Sequence, residues 1–259
     1  MTILEKNGYL ILKKALDRKS INKIRNRLED LKPKAFIPFT NIPWGFGNLL
    51  DDKIFSKILE NRLINKHIKK FFKNKNYVFN HLMVNNKAPF FGPSVEWHQE
   101  IYNIKTYASG HNASDWKDFL QIYIAIDKQN VQNGCLRVLK GSHKFGVQKN
   151  FDVVNENLSH KRSITYKDLK KLEKKCKLVN CELEPGDAII FNHLLVHGSP
   201  SNYSKHSRRS IVLQSRKIGK EKNHLNYAKE TNYRINFVIN ALTKRIKELK
   251  KSNFYGAFK

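Results

Sequence analysis

Short apolar segments separated by turn residues make up the middle of this chain, and strands and helices do not alternate regularly there. Residues 77–86, 119–126 and 208–216 have the composition of strands, and turns at 133–134 and 185–187 lead into two shorter ones. Such a pattern excludes a parallel sheet built from strand–helix–strand units. It predicts a mostly β fold with flanking helices, whose core is a double-stranded β-helix of the jelly-roll or cupin type.

Amphipathic patterns predict helices on both sides of this β-rich stretch. With Ser20 as its N-cap, the first helix should extend to Pro33. The remaining predicted elements are a strand over 8–16, a loop over 35–50, a helical region over 54–72, a lysine-rich helix over 167–177 and a C-terminal helix over 232–251.

The length of 259 residues suits one domain over 1–259, because no linker divides the chain. We expect a helical lead-in over 1–76, a jelly-roll core over 77–216 and a C-terminal helical extension over 217–259. No apolar run reaches the roughly 18 residues that a membrane helix needs. Three scattered cysteines do not form a disulfide framework, and the expected location is therefore the reducing cytoplasm, with no membrane partner.

The formal net charge of +27 suggests a polyanionic partner at first sight. Most of the basic residues are lysines spread along the chain, however, and lysine, asparagine and isoleucine share AT-rich codons. Lysine also lacks the planar fork with which arginine recognises phosphate. We therefore interpret the charge as compositional bias that favours, at most, an anionic small molecule, and we do not expect a nucleic-acid partner.

Candidate metal ligands occur at two separate places in the sequence. His98 and Glu100 are two positions apart, so both side chains point to the same face of a strand. Alone, such a pair is more often an ion pair on a strand surface than part of a metal site. His197 follows an apolar strand and completes the two-histidine, one-carboxylate set that is typical of non-haem Fe(II). Arg208, eleven residues later, could pair bidentately with the distal carboxylate of a diacid, and Ser199 could add a hydroxyl.

Four segments in order resemble the phytanoyl-CoA dioxygenase family, a branch of the Fe(II)- and 2-oxoglutarate-dependent oxygenases. They are residues 81–89 (HLMVNNKAP), 97–100 (WHQE), 133–143 (NGCLRVLKGSH), and Gly186–Asp187 followed by 197–199 (HGS) and Arg208. Glu100 stands where the family usually has Asp, and Lys140 stands where it commonly has Pro. The first of these departures can alter how the carboxylate meets the metal.

The resemblance implies roles for eight residues. The implied metal ligands are His98, Glu100 and His197. The residues implied for binding the cosubstrate 2-oxoglutarate are Arg208, Ser199, Tyr123, Met83 and, by its position beside the metal, Gln99. Ser199 could instead only shape a turn, and Met83 and Tyr123 could be ordinary core residues. Catalytic residues beyond the metal site are not implied.

The implied reaction is that of a dioxygenase using Fe(II), 2-oxoglutarate and O₂. Such an enzyme hydroxylates an unactivated C–H of a small, possibly anionic, metabolite and releases succinate and CO₂. One alternative is a jelly-roll binding protein with impaired catalysis, for which Glu100 in place of Asp is the best support. The other is a nucleic-acid-directed oxygenase, against which the eleven-residue step from His197 to Arg208 argues.

Overall fold

The computed structural model describes residues 2–33, 35–36, 43–47, 49–100, 119–152 and 162–217. Its helices are α1 (Ile3–Asn7), α2 (Arg18–Asp30), α3 (Arg62–Phe71) and α4 (Tyr166–Lys175), with 3₁₀ turns at Ser56–Glu60 and Ser142–Phe145. Its strands are β1 (Tyr9–Leu12), β2 (Ala35–Phe36), β3 (Pro43–Phe46), β4 (Tyr77–Lys87), β5 (Val95–His98), β6 (Phe119–Ala125), β7 (Leu136–Leu139), β8 (Asn150–Asp152), β9 (Arg162–Ile164), β10 (Leu178–Cys181), β11 (Ala188–Asn192), β12 (His197–Ser199) and β13 (Arg208–Lys217).

Two antiparallel sheets form the body of the fold. The major sheet has the order β1-β11-β6-β13-β4-β3-β2, and the minor sheet has the order β10-β7-β12-β5. Non-consecutive strands are neighbours in both sheets, as the crossing connections of a jelly roll require. Strands β8 and β9 form a separate pair. The predicted mostly β, jelly-roll fold is confirmed.

The two faces of the major sheet bury different sets of residues. Along β6, Leu120, Ile122 and Ile124 belong to a core that includes residues of α2 and α3. Tyr123 and Ala125 point the other way, into a second core shared with residues of β7 and β10. Because strand side chains alternate between faces, every second residue of β4, β6, β11 and β13 faces the minor sheet. We call this side of the major sheet the inner face.

The N-terminal region differs from the prediction in three ways. Helix α1 was not predicted, and it begins with a capping box between Thr2 and Glu5. The N-cap of α2 is Asp17 rather than Ser20, because the Asp17 carboxylate accepts a hydrogen bond from the Ser20 backbone N–H at 2.7 Å. The predicted strand over 8–16 is also shorter, ending at Leu12.

The segment preceding β4 is not purely helical, because β1, β2 and β3 all join the major sheet. Strand β1 pairs with β11, which lies far away in the chain. Part of the predicted loop over 35–50 is therefore the strand pair β2–β3. Local turn residues suggested a loop because pairing with a distant strand leaves no local pattern.

In the described part of the chain, no helix combines the length and the apolar character needed to cross a membrane. Helix α4 lies within the lysine-rich segment where the sequence predicts a helix. The predicted C-terminal helix over 232–251 lies outside the described residues.

Candidate metal centre

Three ligand side chains meet at the end of the minor sheet. His98 is the last residue of β5, His197 is the first residue of β12, and the two are direct Cα partners across the strand pair. Glu100 follows two residues after His98, and its carboxylate lies 3.9 Å from His98 Nε2 and 3.4 Å from His197 Nε2. All three residues are buried, and their ligand atoms lie within 4.8 Å of one another.

Hydrogen bonds to the backbone set the tautomer of both histidines. His98 Nδ1 is 2.5 Å from the carbonyl of Glu96, and His197 Nδ1 is 2.9 Å from the carbonyl of Leu195. A carbonyl oxygen only accepts, so each Nδ1 carries the hydrogen and each Nε2 keeps its lone pair. This arrangement is typical of metal-binding histidines, whose second nitrogen is held by a backbone or carboxylate acceptor.

The donor set fits Fe(II). The Glu100 carboxylate is 3.9 Å from His98 Nε2 and 3.4 Å from His197 Nε2, so the three donors are grouped closely enough to share one ion. Two neutral imidazoles and one carboxylate form the facial set that leaves positions open on non-haem iron. The longer Glu100 side chain is therefore compatible with a shared ion, although Asp is usual in the family.

A buried arginine lies opposite a tyrosine on the inner face of the major sheet. The Arg208 guanidinium donates to the Tyr123 hydroxyl, which donates in turn to Gln129 at 2.9 Å. Among the described residues, Arg208 Nε has no hydrogen-bond partner although the side chain is only 4% exposed. A buried guanidinium with an unused N–H is suited to binding a carboxylate.

The neighbouring arginine has a different role. Arg209 makes a bidentate salt bridge with Asp127, with nitrogen–oxygen distances of 2.8 and 2.9 Å. The two arginines therefore point to opposite faces of β13, as strand alternation requires. Of the two, Arg208 alone faces the inner side.

Sequence reasoning missed a buried lysine beside Arg208. Lys87 is the Cα partner of Arg208 across β4 and β13, and its side chain is 0% exposed. Its side-chain nitrogen donates to the backbone carbonyls of Ser199 and Pro200. Burial, together with the charges of Arg208 and Arg137, lowers the pKa of Lys87 to about 5. The even spacing from Met83 along one strand could have placed Lys87 on the same face.

The other predicted cosubstrate residues fall into two groups. Ser199 is buried at the end of β12, and Met83 lies on the inner face of β4 opposite Val212. Gln99, by contrast, donates to the carbonyls of Gly146 and Leu194 and accepts from the Gln148 backbone N–H. These bonds use both amide hydrogens, so Gln99 supports the loop beside the metal centre and has no donor left for a cosubstrate.

The segment 133–143 shapes the fold around the site. The Asn133 side chain accepts a hydrogen bond from the Asn130 backbone N–H, and the Asn130 side chain accepts one from the Asn133 backbone N–H, which closes a turn. Ser142 accepts a hydrogen bond from the Val196 backbone N–H at 2.8 Å, directly before His197. His143 contacts the carbonyl of Glu5 at 3.0 Å. These contacts fix the entry of β12, so the segment holds the strand that begins with His197.

A second buried histidine lies beside the ligands. His193 stacks on Phe119 with 5.2 Å between ring centroids, and its carbonyl accepts from the Glu100 backbone N–H at 2.9 Å. Burial lowers the pKa of His193 to about 4, so its ring is neutral near pH 7. Sequence reasoning did not place His193 beside the metal ligands, because the two leucines that follow it suggest that it faces elsewhere.

The fold and these side chains together define a jelly-roll protein with a candidate centre of two histidines and one carboxylate. The profile of the phytanoyl-CoA dioxygenase (PhyH) family matches residues 4–210. The chain belongs to this family.

Two curated relatives are similar over most of the chain. The peroxisomal phytanoyl-CoA dioxygenase of Bos taurus is 24% identical over 228 residues, covering 80% of this chain and 64% of the relative. The phytanoyl-CoA dioxygenase domain-containing protein 1 homolog of Dictyostelium discoideum is 27% identical over 207 residues, covering 80% and 62%. The chain thus spans less than two thirds of the length of both.

The fold is shared with solved structures of low sequence identity. EctD from S. alaskensis, crystallised with 2-oxoglutarate and 5-hydroxyectoine, superimposes with a TM-score of 0.66 at 16% identity. The match covers 83% of this chain and 74% of EctD. It supports the jelly-roll assignment.

Proposed function

We propose that this protein is an Fe(II)- and 2-oxoglutarate-dependent dioxygenase that hydroxylates an unactivated C–H of a small metabolite and releases succinate and CO₂. The observation that carries the proposal is the buried set of His98, Glu100 and His197, with ligand atoms within 4.8 Å of one another. Membership of the phytanoyl-CoA dioxygenase family supports the same reaction class. Anionic metabolites belong among the candidate substrates because of the net charge of +27.

In this proposal each named residue has a defined task. His98, Glu100 and His197 would hold the metal through two imidazole nitrogens and one carboxylate. Arg208 binds the distal carboxylate of 2-oxoglutarate through its unused N–H, with Tyr123 holding the guanidinium in place. Ser199 and Met83 line the same pocket. When bound, Fe(II) supplies the redox chemistry with O₂ that the side chains themselves lack.

Cys135, Cys176 and Cys181 are free and buried, which supports a reducing cytoplasm as the location we propose. The proposed partner is a small-molecule substrate.

Coupled binding tests the proposal without turnover. We expect 2-oxoglutarate to bind, by calorimetry with Mn(II) as the probe metal, only when Mn(II) is present. His98→Ala should abolish Mn(II) binding, because two ligands do not hold the ion. Arg208→Met should weaken 2-oxoglutarate binding about 10- to 100-fold, the cost of a lost charge-assisted hydrogen bond.

Arg209→Met is the matched control, because Arg209 bonds Asp127 on the opposite face. It should leave the affinity for 2-oxoglutarate unchanged. Succinate release with Fe(II), O₂ and a stimulating substrate completes the test. Coupled binding without succinate release from any substrate would instead favour the binding protein, and the absence of coupled binding would contradict the proposed cofactors.

A further inference from the structure

A β-bulge in β4 turns two adjacent side chains towards the inner face. Gln214 of β13 is opposite His81, whereas the next residue, Ser215, is opposite Phe79, so Asn80 is the extra residue. Leu82 and Phe79 both pack with the helix-side core. Asn80 and His81 lie between Phe79 and Leu82, so both of them turn to the inner face, which is the usual effect of a bulge. Asn80 is thereby placed inside the fold, with 8% of its surface exposed.

Two glutamines lie next to Asn80 on the inner face of the major sheet. Gln121 on β6 and Gln214 on β13 are direct Cα partners, and both are buried. On the other side of Gln121, its partner on β11 is Phe191, whose ring packs edge-on against His197 at 4.7 Å. The two amides therefore lie on the inner face next to the strand that leads to the metal centre.

A chain of contacts links these amides to the residue that touches Glu100. Asn80 Nδ2 donates to Gln214 Oε1 at 2.5 Å, and Gln214 Nε2 is 3.5 Å from His193 Nε2. The backbone carbonyl of His193 accepts from Glu100 N–H. We call Asn80, Gln121, Gln214 and His193 the polar wall.

Three atoms of the polar wall are buried and, among the described residues, without a hydrogen-bond partner. They are Asn80 Oδ1, Gln121 Oε1 and His193 Nδ1. A buried polar atom left without a partner costs about 1–3 kcal/mol. Three such atoms on one wall beside the candidate metal centre indicate groups that a ligand satisfies.

We propose that the polar wall is the substrate subsite and that it binds the hydroxyl groups of a polyol or sugar-like molecule. This inference rests on the proposed function. The amide oxygens of Asn80 and Gln121, which have no partner among the described residues, accept hydrogen bonds, so they match hydroxyl groups, which donate. An acyl chain would leave both oxygens unsatisfied, and a carboxylate or phosphate oxygen would face them without a proton to donate. The hydroxyl-bearing part of the substrate thus lies against Asn80 and Gln121.

Substrate-stimulated succinate release tests the subsite. The probes are glycerol, erythritol, myo-inositol, glucose and sucrose, compared with octanoyl-CoA, palmitoyl-CoA and octanoate, whose reacting parts carry no hydroxyl groups. We expect stimulation by at least one polyol or sugar and none by the thioesters. Gln121→Met, which keeps the side-chain size, should raise the KM for that compound about 10-fold. The affinity of the Gln121→Met variant for 2-oxoglutarate in the presence of Mn(II) should equal that of the wild-type protein.

A measurement without substrate gives the second readout. Gln121→Met removes a buried unsatisfied oxygen, so its Tm should rise by about 2–4 °C. Asn86→Leu is the control. Asn86 is also buried on β4 and its Oδ1 likewise has no partner among the described residues, but it points to the other face, and its loss leaves the Pro43 carbonyl without the hydrogen bond that Asn86 Nδ2 donates at 2.7 Å. The Asn86→Leu variant should lower the Tm and leave the KM unchanged.

Three results would overturn the subsite: stimulation by a thioester or octanoate alone, no stimulation by any polyol or sugar, or an unchanged KM in Gln121→Met. If the wild-type protein does not bind 2-oxoglutarate in a Mn(II)-dependent way, the proposed function itself is refuted. The two failures are therefore distinguishable.

Discussion

At the residue scale, the main feature is a pair of buried basic residues. Lys87 and Arg208 are direct partners across β4 and β13. No carboxylate of the described residues forms a salt bridge with either of them. Placing two like charges in a low-dielectric interior is unfavourable, and the group that can lose its proton gives way. Arginine stays charged, so lysine is the residue whose protonation changes. The pair is thus costly in the absence of an anion.

The pH dependence of stability should reveal this cost. Lys87 has a pKa of about 5 in the folded protein, against 10.5 as the ordinary value. Between these values the unfolded chain binds more protons, so this group makes the free energy of unfolding rise with pH, by up to about 1.4 kcal/mol per unit. We expect Lys87→Met to remove that slope between about pH 6 and 9, measured by urea denaturation without 2-oxoglutarate.

The exposed Lys140 supplies the control, and Lys140→Met should keep the slope of the wild-type protein. An identical slope in Lys87→Met and the wild type would show that Lys87 is charged in the folded state.

At the scale of elements, the motif 133–143 holds the turn that follows β12. A Cβ atom added to Gly134 would lie 2.4 Å from the Pro200 carbonyl oxygen, and the backbone φ there is +77°. The same carbonyl accepts a hydrogen bond from Lys87. Ser199 and Pro200 are thus held from two sides, and the close approach at Gly134 requires glycine.

Two glycines of this motif allow the steric effect to be isolated. Gly141 also has a positive φ, +84°, but an added Cβ atom there would meet nothing within 4 Å. Gly141→Ala should therefore cost about 1–2 kcal/mol from backbone strain alone. Gly134→Ala should cost about 1–3 kcal/mol more, because the methyl group displaces the turn. Chemical denaturation measures the difference.

Equal costs for the two alanine variants would mean that the turn at Pro200 yields freely. In the proposed function, Gly134→Ala should also weaken 2-oxoglutarate binding, since Ser199 lies in the displaced turn.

At the scale of the whole molecule, the net charge of +27 has no direct part in the proposed chemistry. Arg208 and Lys87, the two basic residues placed beside the proposed cosubstrate pocket, are both buried. The charge of a solvated surface acts over a range that salt screens. It influences which molecules approach the protein more than how the site recognises them.

Any binding to duplex DNA should therefore be non-specific. We expect the affinity for a random 20-base-pair duplex to fall steeply between 50 and 200 mM salt, by roughly 10³-fold if about six phosphates are contacted. Duplex DNA should not stimulate succinate release. Sequence-specific binding, or stimulation that persists at 200 mM salt, would support the nucleic-acid-directed alternative.

The sequence by itself determined the fold class and the candidate ligands. Apolar segments such as those of β6 and β13 are long enough to show strand periodicity, and the spacing of His98 and Glu100 places both on one face. Helix α1 and the pairing of β1 with β11 escaped prediction, because a short helix and a distant strand partner leave weak local signals. The helix over 232–251 stays a prediction.

Only the tertiary structure decided which side chains share the interior. Register placed Lys87 beside Arg208, a bulge turned Asn80 inwards, and the surrounding carbonyls engaged the amide of Gln99. None of these facts depends on residue type alone, because each follows from pairing between segments far apart in the chain. Residue types specified the chemistry available to the protein, and strand register decided where that chemistry is assembled.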